Sequence, residues 1–292
     1  MSDVAPGAFP AFHSSQEILT HPRFSFARNE FVKAILALYE HKPFLNRLLL
    51  EASRATLAGV IMCLYARYDE ADRSTWPTLR VVVDSMAAYR LASASRVEDL
   101  VSRLGKSGYL EQRVIPQDRR VRILIPTEKL IAQDQDFLVS HHLPLQILFP
   151  DPGYPLIMTR DPAFQLKHRL VCLNLFAHSA QLMAGSPVMM LFLGRDAGVM
   201  ILVKMIEMAG QARGAEPLKI SYSGLGSRFG VSPTHVRNLL VAAEQMDLVR
   251  LTKAGGRFVE LKPQLLQVFD RFIADAMSAF DLRYQLTLRE LT

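Results

Sequence analysis

The strongest constraint on this chain is that part of it occurs twice. Ala58-Gly59-Val60-Ile61-Met62 returns as Ala197-Gly198-Val199-Met200-Ile201, and Leu79-Arg80-Val81 returns as Leu218-Lys219-Ile220, both at an offset of 139 residues. The same shift, with no gap, lays Ser93 on Ser232, Val97 on Val236, Leu100 on Leu239, Val101 on Leu240 and Leu110 on Val249. Upstream, Leu19-Thr20-His21-Pro22-Arg23-Phe24 echoes the run from Met158 to Phe164, and downstream Pro126 answers Pro263. A register held from Ala58 to Gln112 points to an internal duplication, and two like units are what a chain of 292 residues has room for. The expected organisation is a loosely ordered lead-in over 1–19, a first unit over 20–148, a Pro-Gly linker over 149–158 and a second unit over 159–292.

Each unit reads outward from its middle. Val81 and Ile220 sit in short β-favouring runs, and Asp84 and Ser223 after them are good helix N-caps. A short helix is expected from each, ending near Leu91 in the first unit and at Gly230 in the second. Ser93 and Ser232 then cap a second helix. In it Val97, Leu100, Val101 and Leu104, like Val236, Leu239, Leu240 and Ala243, repeat at i, i+3, i+4 and i+7 and form one inward stripe. Alternating runs follow, Tyr109 to Val114 and Val121 to Ile125, around the basic tip Pro116-Gln117-Asp118-Arg119-Arg120. The second unit has Leu248 to Thr252, a turn at Lys253-Ala254-Gly255-Gly256, and Arg257 to Leu261. Helix, strand, helix, turn, helix and β-hairpin in that order make a winged helix-turn-helix. The fold class expected is mainly α with small β-hairpins, as tandem winged helix-turn-helix units.

The first unit carries a more particular pattern. Ser93-Ala94-Ser95-Arg96-Val97 leads to Leu104-Gly105-Lys106-Ser107-Gly108-Tyr109-Leu110, followed by Asp118-Arg119-Arg120 and Thr127-Glu128-Lys129. Recognition helix, Lys-x-Gly turn, Asp-Arg-Arg wing and Thr-Glu-Lys helix start resemble the MarR-type (multiple antibiotic resistance regulator) family of transcription regulators. The detailed likeness covers about Asp84 to Lys129. It is echoed from Ser223 to Val249, where the Asp-Arg-Arg wing is missing. MarR-type proteins are homodimers whose terminal helices pack together. The resemblance therefore implies an intramolecular pseudodimer, with helices around Phe31 to Tyr39, Phe164 to Met183 and Leu265 to Leu286 forming a shared helical body. The chain would act as a pseudodimeric monomer or as a homodimer. The resemblance also implies a small-molecule effector site near Tyr65, Tyr68, Trp76 and Tyr89, though aromatic residues at such spacing equally suit a core.

Charge supports a polyanionic partner by its placement. The net charge is +6, yet Arg90 to Lys129 carries +4 and Lys219 to Lys262 another +4, which leaves −2 for the rest. The expected partner is double-stranded DNA. The candidate DNA-binding residues are Ser93, Ser95, Arg96 and Arg103 on the first recognition helix, and Thr234, His235, Arg237 and Asn238 on the second. Arg119, Arg120 and Arg122 are candidates on the first wing, and Lys253 and Arg257 on the second. Arg237 and Asn238 are the best base readers, since Arg can bridge guanine and Asn can bridge adenine with two hydrogen bonds. The wing arginines suit phosphates or a narrow minor groove. Asp118 is expected to orient its neighbours. Glu98 and Asp99 stand where the second unit has Arg237 and Asn238, and carboxylates repel phosphate, so surface pairing of Asp99 with Arg96 or Arg103 is expected. These two carboxylates are the best support for the alternative function, a winged-helix protein-interaction or scaffold module without DNA binding.

Other chemistries find little footing. Cys63 and Cys172, each in an apolar run, give no disulfide framework and no metal pattern, and suit a reducing cytoplasm. No His-x-x-x-His stands beside a carboxylate, and no Gly-x-Ser-x-Gly elbow occurs, so no cofactor, no metal and no catalytic residue are expected. Gly224-Leu225-Gly226 with Gly230 has the wrong spacing for a phosphate loop. Leu170 to Gly194 has no formal charge and is long enough to span a bilayer, but Asn174, His178, Gln181, Ser186 and Pro187 interrupt it, so buried helices are expected and no membrane partner.

Overall fold

The computed structural model describes residues 10–39, 52–89, 92–116, 118–175, 181, 185–211, 217–252 and 258–291. They are mainly helical, with two small antiparallel sheets. The first half runs through α1 (Ser15–Thr20), α2 (Phe24–Tyr39), α3 (Ala52–Arg67), α4 (Leu79–Ala87), α5 (Ala94–Lys106), β1 (Leu110–Ile115), β2 (Asp118–Pro126) and α6 (Glu128–Leu148). The second runs through α7 (Pro155–Met158), α8 (Pro162–Leu173), α9 (Pro187–Leu193), α10 (Gly198–Gln211), β3 (Leu218–Lys219), α11 (Tyr222–Phe229), α12 (Pro233–Gln245), β4 (Val249–Thr252), β5 (Phe258–Leu261) and α13 (Pro263–Arg289).

From Ser93 and from Ser232 onward the two halves are built alike. Both α5 and α12 have 13 residues, and each starts on a serine whose hydroxyl accepts a backbone N–H, from Arg96 and His235 respectively. The apolar stripes are buried, Val97, Leu100, Val101 and Leu104 in one helix and Val236, Leu239, Leu240 and Ala243 in the other. In both halves the chain leaves the helix through a left-handed residue, Gly108 at φ 72° and Asp247 at φ 54°. Next, Tyr109 N–H reaches Leu104 O at 3.0 Å and Leu248 N–H reaches Ala243 O at 2.9 Å. After the strands, Thr127 N–H returns to Tyr109 O at 3.1 Å and Lys262 N–H to Leu248 O at 3.0 Å. The Thr-Glu-Lys start clamps this turn further: Thr127 Oγ1 donates to Gly108 O and Lys129 Nζ to Ser107 O.

Upstream of those serines the constant register fails. The first helix of each pair is capped by Thr78 and Ser221, not by Asp84 and Ser223, and the first half has four more residues between its two caps. Leu79-Arg80-Val81 opens α4 itself, because Val82 and Met86 at 0% exposure gain more from burial on a helical face than their neighbours lose to β-branching. Asp84 lies on the outer face, paired with Arg80. Leu218-Lys219 is a strand, set against β5, whereas its first-half counterpart is a single bridge between Thr78 and Ile123. Ala58-Gly59 lies inside α3, but Ala197 takes a left-handed φ just ahead of α10. The short helix of the second half does end at Gly230, at φ 76°. Leu91 and the turn from Lys253 to Arg257 lie outside the described residues.

The halves interlock reciprocally. α1 packs on α13 and α7 on α6; α2 packs on α10 and α8 on α3; α6 and α13 pack on each other. Each half's first long helix also sends an arginine to an aspartate on the other half's last helix: Arg28 to Asp270 at 3.0 Å, and Arg169 to Asp134. One hydrophobic core consequently contains Ile35, Leu36, Leu57, Ile61 and Leu145 of the first half with Phe164, Met200, Ile201, Phe269 and Met277 of the second.

Two segments expected to be loose, the lead-in from residue 10 onward and the Pro-Gly linker, pack into this body. Residues 15–20 of the lead-in form α1, closed by a capping box between Ser14 and Glu17, with Ile18 fully buried. His13 N–H donates to Asp281 at 2.6 Å, and its ring stacks on Phe149 at 3.4 Å. The Pro-Gly linker packs as well. Tyr154 is 2% exposed, its hydroxyl donates to Asp281 at 2.9 Å, and residues 155–158 are helical. Both segments are held by Asp281, a fully buried carboxylate on α13 that local composition does not mark. The uncharged stretch after Leu170 contains the end of α8 and all of α9, and no helix of the described residues is long and apolar enough to cross a membrane.

Candidate nucleic-acid interface

The buried stripes of α5 and α12 decide which side chains can meet a partner. On α5, Ser95, Arg96, Glu98, Asp99, Ser102 and Arg103 are exposed; on α12, Thr234, Arg237 and Asn238 are. Because the capping serines are in register, Glu98 occupies the helical position of Arg237, and Asp99 that of Asn238. The two outer faces thus differ in charge where they match in shape.

Several candidates have structural duties. Ser93 serves as the cap of α5, accepting the Arg96 N–H at 3.4 Å. His235 is half-buried, and its Nε2 lies 2.8 Å from the carbonyl oxygen of Asp196, which ties α12 to the turn before α10. That ring is engaged inside the protein. Arg103 lies 3.7 Å from Asp99, the surface pairing expected from their spacing, with both side chains more than half exposed. Such a pair is worth about 0.3–0.5 kcal/mol. Arg237 is close enough to Tyr222 on α11 to hold its phenol pKa down, though burial raises it more.

The first hairpin is well formed. β1 and β2 pair from Leu110 opposite Pro126 to Val114 opposite Arg122, and Ile123 and Ile115 are fully buried beneath it. Asp118 accepts the Arg120 N–H at 3.1 Å and pairs with Arg73 at 3.3 Å, so it shapes the tip. Arg119, Arg120 and Arg122 are exposed. In the second half only the base of the hairpin is described, with Val249 opposite Leu261; Lys253 and Arg257 fall outside the described residues.

No family model matches this chain, and no curated protein and no solved structure is similar to it. Among the described residues no group of His, Cys, Asp and Glu is arranged to hold a metal ion.

The aromatic residues expected at an effector site divide between two places. Tyr65, Tyr68 and Trp76 pack with Ile115, Ile123 and Ile125 in a small second core under the first hairpin. Tyr89 instead lines a cavity of about 380 Å³ at the seam between the halves, walled by α2, α3, α6, α8, α9, α10 and α13. On its wall, Asp134 accepts from Arg169 Nε at 3.0 Å, from Arg169 Nη2, and from Gln165 Nε2 at 2.8 Å. Burial pulls the Arg169 pKa down, and the Asp134 carboxylate more than offsets it, leaving the guanidinium above the ordinary arginine range. Sequence reading missed this cluster. A signal exists in retrospect: Leu130, Asp134 and Leu138 stand at i, i+4 and i+8, which puts a carboxylate on the buried stripe of α6.

Proposed function

We propose that this protein is a sequence-specific, double-stranded DNA-binding transcription regulator, made of two winged helix-turn-helix units of MarR type joined as a pseudodimer within one chain. The observation that carries the reading is the pair of equally long, equally capped helices α5 and α12, each buried on one stripe and polar on the other, each followed by an antiparallel strand pair. Helices of this kind are what major-groove readers present to base edges. The reciprocal packing of α1 on α13 and α7 on α6 supports the pseudodimer, since contacts that come in exchanged pairs are the mark of a twofold arrangement. In this reading the protein works in the cytoplasm, Arg237, Asn238 and Thr234 read bases from α12, and Ser95 and Arg96 approach from α5. Arg119, Arg120 and Arg122, with Lys253 and Arg257, contact the backbone or the minor groove.

The exposed carboxylates Glu98 and Asp99 favour a second reading, in which one or both units dock on protein. Fluorescence anisotropy with mixed-sequence duplex DNA at two salt concentrations separates the two. Affinity falling steeply with salt is expected for phosphate neutralisation. An absence of binding at low salt, or binding indifferent to salt, refutes the DNA reading.

A further inference from the structure

The outer faces of α5 and α12 differ in charge, and the hairpins beside them reverse the order. On α12 the exposed residues Arg237 and Asn238 are a cation and an amide; at the same helical positions α5 exposes Glu98 and Asp99. Asp99 is paired with Arg103 at 3.7 Å, but both side chains are more than half exposed, so the pair is weak and the acidic face persists. The hairpins run the other way. β1 and β2 have six and nine residues, and Arg113, Arg119, Arg120 and Arg122 are exposed on them against the carboxylates Glu111 and Asp118. Asp118 is engaged at the tip, accepting the Arg120 N–H and pairing with Arg73, whose side chain is itself 72% exposed. β4 and β5 have four residues each, and their one arginine, Arg250, stands directly opposite Glu260.

A helix that reads bases must bring its outer face up to the base edges, between two walls of phosphate. Arg237 and Asn238 suit that place, since Arg can bridge guanine and Asn adenine. Glu98 and Asp99 meet the phosphates with like charge. α12 is also held ready: it packs on α9 and α10, and His235 Nε2 lies 2.8 Å from the carbonyl oxygen of Asp196. A reading helix fixed in this way gives up little freedom on docking. The halves close on each other around one core, so a single chain presents both units to one duplex. Two equal heads related by a twofold would read an inverted repeat. These heads are unequal.

We propose that one chain binds a duplex site without inverted-repeat symmetry, in which α12 reads base edges in one half and the first unit holds the other half by its hairpin arginines without reading it. This rests on the DNA-binding reading and adds to it the kind of sequence recognised and the residues that set it. Arg237 and Asn238 confer base preference, and Glu98 and Asp99 withhold it from the first unit.

Selection of binding sites from a random duplex library by the full chain tests this, with footprinting to mark the two halves of the site and sedimentation to count chains per duplex. One chain per duplex is expected, with base preference confined to one half. Glu98→Arg/Asp99→Asn gives α5 the residues of α12 at two positions and is expected to bring base preference into the other half, with about ten-fold or greater discrimination there. Arg237→Glu/Asn238→Asp is expected to erase the preference that the parent shows. Arg119→Ala/Arg120→Ala is expected to weaken every duplex alike and to lower the salt slope by about two. All six substituted side chains are exposed, so circular-dichroism spectra should match the parent. The proposal alone is overturned, with DNA binding intact, by an inverted repeat among the parent's sites, by two chains per duplex, or by a folded Glu98→Arg/Asp99→Asn that gains no preference. Binding that is absent at low salt or indifferent to salt refutes the DNA-binding reading, and the proposal with it.

Discussion

Replacing Asp134 with alanine strands the Arg169 guanidinium at the seam. Both side chains are more than nine-tenths buried, and Asp134 accepts three hydrogen bonds, two from Arg169 and one from Gln165. Removing one partner of such a pair leaves an uncompensated buried charge, at a cost of about 3–5 kcal/mol. With an unfolding entropy of about 2.1 cal/mol/K per residue, a chain of 292 residues changes stability by about 0.6 kcal/mol per degree near its midpoint. Asp134→Ala should therefore lower Tm by about 5–8 °C in scanning calorimetry. The double variant Asp134→Leu/Arg169→Met, which removes both charges and keeps apolar volume, should return to within about 2 °C of the parent. Asp84→Ala is an internal control. Its partner Arg80 is 86% exposed, and the shift should stay under about 1 °C. A fall of less than about 2 °C for Asp134→Ala, or a double variant no better than the single one, refutes the claim that this ion pair is a buried tie between the halves.

Three further outcomes follow from the same structure. In the DNA-binding reading, Arg237→Ala should relax sequence preference on specific against random duplexes, whereas Arg120→Ala should weaken all sites alike and lower the salt slope by about one; equal losses on both duplexes for Arg237→Ala would demote that residue to a phosphate contact. Burial holds His142 down to about 4 and His168 well below the ordinary histidine range, so the unfolded chain takes up protons that the folded chain refuses. Their contribution is complete above about pH 6.5 and is lost as pH falls toward 4, about 3 kcal/mol for His142 alone, and His142→Gln should flatten the fall of Tm over that window. At the left-handed exits of α5 and α12, Gly108→Ala should destabilise by about 1 kcal/mol, and Asp247→Gly should be neutral or stabilising in denaturant titrations; the reverse order would show that the two turns are not equivalent.

Much of each helix-and-hairpin segment was legible in the chain, because its signals are local. A serine one step before an apolar stripe at 3.6-residue spacing specifies where α5 and α12 begin and which face turns inward, and neither depends on distant residues. The same holds for the alternation of β1 and β2 and for the Gly230 exit of α11. The 139-residue offset matches the structure from Ser93 and Ser232 onward and fails before them, since Thr78 and Ser93 stand four residues further apart than Ser221 and Ser232. Val81 and Val82 read as strand by preference and fold as helix, as burial of Val82 and Met86 outweighs that preference.

What tertiary structure alone decided is how the units are joined. Composition suggests that the lead-in over 1–19 and the linker around Pro152 should be loose, yet His13 and Tyr154 are both held by Asp281, which sits far away in the chain, 127 positions from Tyr154 and 268 from His13. The pairing of α2 with α10 and of α8 with α3, the Arg169–Asp134 tie and the cavity beside it likewise arise from residues with no local relation. Caps, turns and stripes are written within a few residues because hydrogen bonds of the backbone are short-range. Burial is not: a carboxylate on α6 or α13 becomes a tie or a pocket wall only when a second half closes over it.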